Sequence, residues 1–192
     1  MKKITFLLAF LAIILFNHST FSQTFDWETG TDNGTNVTQT VSSITATVTT
    51  SNNDAQLVNG GGFEGSSGNV IFTQIPDAST SMTITFSQPV DIASIYLFLA
   101  DGDGGVPTNV LFTPTGGTNS SVVEAIEQTA GEIVTLNWTG VTVVTLTVDG
   151  GGFETFGIDD IVLTPQDTTP PIFENSTPSQ SLITQTGVTL GT

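Results

Sequence analysis

The chain has 192 residues, with 18 acidic side chains against two lysines, one histidine and no cysteine, for a formal net charge of -16 at pH 7. The missing cysteine excludes a disulfide framework, thiolate chemistry and cysteine-ligated zinc or iron–sulfur. With almost nothing to neutralise phosphate, nucleic acids and anionic membranes are excluded as partners.

Lys2 and Lys3 precede an apolar run from Ile4 to Phe16 that only Thr5 interrupts. This basic start, the run of about thirteen residues and the small residues at Thr20 and Ser22 describe a secretory signal cut after Ser22. A spanning helix needs roughly 20 apolar residues, so no transmembrane segment is expected after cleavage. Both lysines and His18 leave with the signal. The mature chain from Gln23 then carries 18 carboxylates and no basic side chain. Carboxylates near its core must face water, accept hydrogen bonds from neutral donors, or bind cations.

From Phe25 to Thr164 no helical stripe is visible, and short β-branched segments alternate with Gly, Asn and Asp turns. Strands are predicted at Phe25–Trp27, Val41–Thr49, Val70–Thr73, Met82–Ser87, Ile92–Leu99, Ser121–Ile126, Glu132–Asn137, Thr142–Val148 and Ile158–Leu163. Met82, Ile84 and Phe86 share one face, and Val144, Leu146 and Val148 repeat the pattern, with threonines between them as uncharged β-formers. The fold class is therefore all-β: a two-sheet antiparallel sandwich in jelly-roll form. A right-handed β-helix is the alternative, without a short repeat to support it.

Asn59-Gly60-Gly61-Gly62-Phe63-Glu64 is echoed by Asp149-Gly150-Gly151-Gly152-Phe153-Glu154, and both read as tight turns, the second as a hairpin. Residues 23–164 form the domain. Pro165 to Pro171 is a stiff proline–threonine linker, and residues 172–192 read as the start of a second, truncated β domain or as a tail.

Two acidic constellations stand out. Asp26 and Glu28 lie near the first strand, Asp159 and Asp160 in the last, and terminal strands of a jelly roll commonly run side by side. Alternation sends Asp159 and Asp160 to opposite faces, one of them toward the inner layer. No basic residue is left to pair with it, so a structural calcium ion there is one reading and a hydrogen-bonded turn aspartate the other. The second constellation, Asp101-Gly102-Asp103-Gly104-Gly105, opens like a calcium loop but fails the EF-hand pattern, because position twelve is Phe112. It reads as a flexible turn or as a different calcium loop, with Asn109 as a further donor.

Catalytic signals are sparse. Without histidine, cysteine, lysine or arginine the mature chain has no triad, histidine–zinc or Schiff-base chemistry. Paired carboxylates for glycoside hydrolysis remain, but Glu124 and Glu127, three apart in a strand, face opposite ways. Sugar binding would use an aromatic platform beside polar side chains, the candidates being Trp27, Trp138 and Tyr96. Alternation places Trp138 with Val134 and Leu136 in the core. Tyr96 sits inside a central strand and is expected to be buried.

The signal end Phe21-Ser22-Gln23, the opening Phe25-Asp26-Trp27-Glu28, the closing Phe156-Gly157-Ile158-Asp159-Asp160-Ile161-Val162-Leu163 and the bridge Asp167-Thr168-Thr169-Pro170-Pro171 together resemble secreted multidomain surface proteins of marine Bacteroidetes. In these an N-terminal jelly-roll domain, similar to galactose-binding-like and carbohydrate-binding modules, precedes immunoglobulin-like repeats, and Pro171 to Pro178 looks like the first strand of such a repeat. The resemblance implies calcium between the terminal strands, with Glu28 and Asp160 at the matching positions. The resulting expectation is a secreted or cell-surface, noncatalytic module for adhesion or for binding extracellular polysaccharide or cell-surface glycans. A structural spacer and a carboxylate-based carbohydrate enzyme are the alternatives.

Overall fold

A computed structural model describes residues 22–60, 65–73, 81–99, 108–126, 131–149 and 156–165. Residues 1–21, the Asp101–Gly105 stretch and everything after Pro165 lie outside them. The described residues form eleven strands: β1 (Thr24–Phe25), β2 (Thr31–Asp32), β3 (Val37–Val41), β4 (Ile44–Thr50), β5 (Ala55–Asn59), β6 (Asn69–Thr73), β7 (Ser81–Leu99), β8 (Thr108–Thr115), β9 (Val122–Ile126), β10 (Glu132–Asp149) and β11 (Phe156–Leu163). No helix long and apolar enough to cross a membrane occurs among them.

Two strands are long enough to belong to both layers of the sandwich. The first half of β7 pairs with β4 and with the second half of β10, while its second half pairs with β11 and with the first half of β10. One layer thus runs β2-β3-β4-β7-β10-β8-β9. The other joins β5, β6 and β11 to the remaining halves of β7 and β10, with β1 on the edge of β11. The crossover is marked by register shifts at Trp138 and Val141 of β10. Pro89, which has no ladder N–H to lose, lies in the matching stretch of β7. Asp91 pins this bend: its carboxylate accepts the Gly140 N–H at 2.8 Å and its carbonyl accepts Thr164 N–H at 2.9 Å. Both predicted strand pairs, Met82–Ser87 with Ile92–Leu99 and Glu132–Asn137 with Thr142–Val148, are therefore halves of single arched strands. Conversely, the predicted strand Val41–Thr49 is split, because Ser42 adopts a left-handed conformation (φ 57°) and turns β3 back onto β4.

The core fills the space between layers with residues of period two: Met82, Ile84 and Phe86 from β7, Val144 and Leu146 from β10, and Ile95, Leu97 and Ile158 from the facing layer. Each fully buried aliphatic or aromatic side chain of this kind contributes about 1.5–3 kcal/mol. Trp27 and Trp138 belong to it, at 0% and 4% exposure. Neither is a surface platform. Most of both glycine copies, residues 61–64 and 150–154, lies outside the described residues. Asn59 and Asn69 pair at the end of the β5–β6 hairpin, and Gly60 N–H reaches Gly68 O at 2.8 Å. Asp149 instead ends β10 in one layer while β11 begins in the other, so no hairpin joins them.

Candidate functional site

Along one edge of β11, β1 covers Ile161 and Val162 while β6 covers Gly157 and Ile158. The gap between the two is Asp159-Asp160. Asp159 lies opposite Tyr96 and Ile161 opposite Ile95, which leaves Asp160 as the extra residue of a β-bulge. The bulge overturns simple alternation: neither carboxylate points into the space between the layers. Asp160 is exposed, and Asp159 sits on the outer side of its layer, 2% exposed beneath the chain around Ser67.

All four carboxylates predicted near the termini gather at this gap, and Asp26, Glu28 and Asp159 each have their own neutral donors. Asp159 accepts Ser67 N–H at 3.3 Å and Asp160 N–H at 2.8 Å. Glu28 reaches across to accept Asn69 N–H at 2.8 Å. Its carboxylate occupies the space of a side chain at Gly68, where a Cβ would lie 1.5 Å from Oε1. Asp26 accepts Glu28 N–H at 3.2 Å and the amide of Gln39 at 2.8 Å. Gln39 is buried and also accepts Trp27 N–H at 3.0 Å, which holds Trp27 in its left-handed conformation (φ 60°).

With no basic side chain in the described residues, the group repels itself. Burial pushes the Asp159 carboxyl up to about 6, with the charges of Asp160 and Glu28 adding to it and the two N–H bonds opposing. Asp160 is also raised, first by burial and then by Asp26 and Glu28. Oxygen donors without a counter-charge suit a hard cation chemically. Among the described residues, however, no three such side chains are placed to hold a metal ion. The arrangement is one of three separately tethered carboxylates beside the exposed Asp160, and Asp101 and Asp103 fall outside the described residues.

The outward face beside this gap carries the aromatic side chains. Asp159, Tyr96 and Ile133 form one cross-strand row; Phe72, Gly157 and Phe98 form the next. Phe98 closes over Gly157, where an added Cβ would stand 2.4 Å from the ring and 2.9 Å from Ile71 O. Tyr96 packs at 6.4 Å from Phe98 between ring centroids, and its hydroxyl end lies close against Gly65 and Gly131. Tyr96 is partly exposed, in contrast to the expected burial, because the second half of β7 turns Ile95, Leu97 and Leu99 inward and leaves its other face outside. Next to it Ile133 is 70% exposed.

A third acidic contact was not visible as a pair in the sequence. Glu124 of β9 neighbours Glu132 of β10, and burial followed by this carboxyl raises its pKa. Glu127 lies outside the described residues.

No protein-family model matches the chain, and no curated protein sequence does. Among solved structures, the chain is similar to TmCBM61, determined in complex with β-1,4-galactotriose. The identity is 16% and the TM-score 0.42, over 63% of this chain and 88% of that one.

Proposed function

We propose that this domain is a noncatalytic extracellular module that binds neutral glycans through the outward face around Tyr96. The observation that carries this reading is the row Asp159–Tyr96–Ile133. A partly exposed ring stands beside a bare aliphatic side chain, a surface on which a sugar face can stack, while buried Asp159 holds the floor of the row in place. Charge narrows the ligand. A mature chain of 18 carboxylates without a basic residue repels sulfated and uronic polymers, so uncharged oligosaccharides are the fitting class. Gln23 O accepts Leu163 N–H at 2.8 Å, so the domain's two ends lie side by side.

A glycan array followed by calorimetry tests the reading. Tyr96→Ala should weaken the best neutral ligand by roughly threefold to tenfold, the equivalent of a stacking contact of about 0.5–1.5 kcal/mol. Unchanged affinity in a variant that still melts cooperatively would remove Tyr96 as the platform.

We also propose that calcium ties the terminal strands at Asp26, Glu28, Asp159 and Asp160 once their side chains turn toward a common point. The support is the uncompensated charge of the cluster. Calcium should raise the melting temperature over chelator, and Asp160→Ala should abolish the difference. Identical melts in both would end the proposal.

A further inference from the structure

Gln23 is the residue that signal removal after Ser22 would leave at the head of the chain, and the structure holds it in an unusual way. Its backbone carbonyl is fixed by Leu163 N–H at 2.8 Å, one step beyond the β1–β11 ladder at Thr24 and Val162. Its side-chain amide oxygen is buried with no hydrogen-bond partner. Ser22 Oγ donates to Leu163 O at 2.9 Å, a bond that cleavage removes together with the serine.

From these contacts we propose that Gln23 is a modification site: after cleavage it closes on itself as pyroglutamate. The inference rests on the signal reading and is independent of glycan binding. In the reaction the uncharged α-amino nitrogen attacks the side-chain Cδ, and a Cδ–N bond forms. The Cδ–Nε2 bond breaks, and the departing nitrogen takes up the amine proton to leave as ammonia. Nothing is oxidised or reduced, and no co-reactant is consumed. The α-amine has an ordinary pKa of about 7.7–8.0, so a useful fraction is neutral near pH 7. Holding the residue at its carbonyl keeps nucleophile and amide within one residue's reach, the usual advantage of an intramolecular reaction. The product replaces an ammonium ion at a partly buried strand end, beside an amide oxygen that no donor reaches, by a neutral lactam.

The experiment is secretion of the full precursor from a host with a signal peptidase, followed at harvest by intact mass and N-terminal labelling. The expected product begins at Gln23, weighs one ammonia less than the unmodified chain from Gln23 onward, and resists amine labelling until treated with pyroglutamyl aminopeptidase. Gln23→Ala should begin at the same position, label freely and show no mass deficit. A free amine on Gln23 at harvest, or a chain beginning anywhere else, overturns the proposal.

Discussion

The two outward faces of the sandwich are built on opposite plans. On the β4–β7–β10–β8 side, Thr49, Thr83, Thr145 and Thr113 stand in one cross-strand row, and Thr38, Thr47 and Thr85 stand in a neighbouring one. No carboxylate enters these rows. Threonine keeps the strand propensity of a β-branched residue, leaves its hydroxyl to water, and spares a strongly acidic chain the cost of like charges directly opposite one another. On the β6–β11–β7 side, Phe98 closes over Gly157, and Asp159 is buried beneath the chain around Ser67. The first face is a surface made once per strand, in which each position is nearly independent. The second is a third layer, in which backbone, ring and carboxylate fix one another, and that interdependence is what a binding site needs.

Substitutions sharpen this contrast, and the largest effect belongs to the layered face. Gly157→Val would drive a side chain into the Phe98 ring and the Ile71 carbonyl. It should destabilise the fold by about 3 kcal/mol, or prevent folding, as overpacking in a tight site does. Denaturant melts read it, and a loss below 1 kcal/mol would mean that Phe98 is only loosely seated. Titration of Asp159 comes next. Its folded pKa, about 6, lies above the ordinary carboxyl value of 3.8, so the folded state binds more protons between those limits. Stability should then rise as the solution is acidified from pH 7 toward 4, by on the order of 2 kcal/mol. Asp159→Asn should flatten that slope, whereas a slope of the opposite sign would show the carboxylate to be better satisfied than repelled. Smallest is Thr83→Val in the threonine row. It should change stability by roughly 0.5 kcal/mol or less, and a loss several times greater would give that face an unrecognised partner.

Sequence periodicity carried the architecture further than the site. Alternation in Met82–Phe86 and Val144–Val148 located the core faces, and it put Trp138 inside. The arches escaped it, since a bend that keeps its concave side apolar leaves the period intact and looks like two strands with a turn between. Chain-end reasoning brought Asp26 and Glu28 to Asp159 and Asp160, because antiparallel terminal strands need only pair. The side-chain directions did not follow, since one bulged residue at Asp160 reverses the count and nothing in Gly157-Ile158-Asp159-Asp160 announces a bulge. Tyr96 was misplaced for a related reason. An almost wholly apolar strand suggests cover on both faces, but not that the outer cover is partial. The Glu124–Glu132 contact depends on how β9 and β10 approach, which no local spacing encodes.

The shared strands give the sandwich a spine. β7 and β10 both turn over at the Pro89–Asp91 and Trp138–Val141 end, where a single inserted residue would slide every downstream side chain to the wrong side of its ladder. The strand ends that flank residues 74–80, 100–107, 127–130 and 150–155 all lie at the opposite end, beyond the last paired residues. The molecule is therefore divided into a bend that tolerates no change in length and an opposite end beside which the Tyr96–Ile133 row lies.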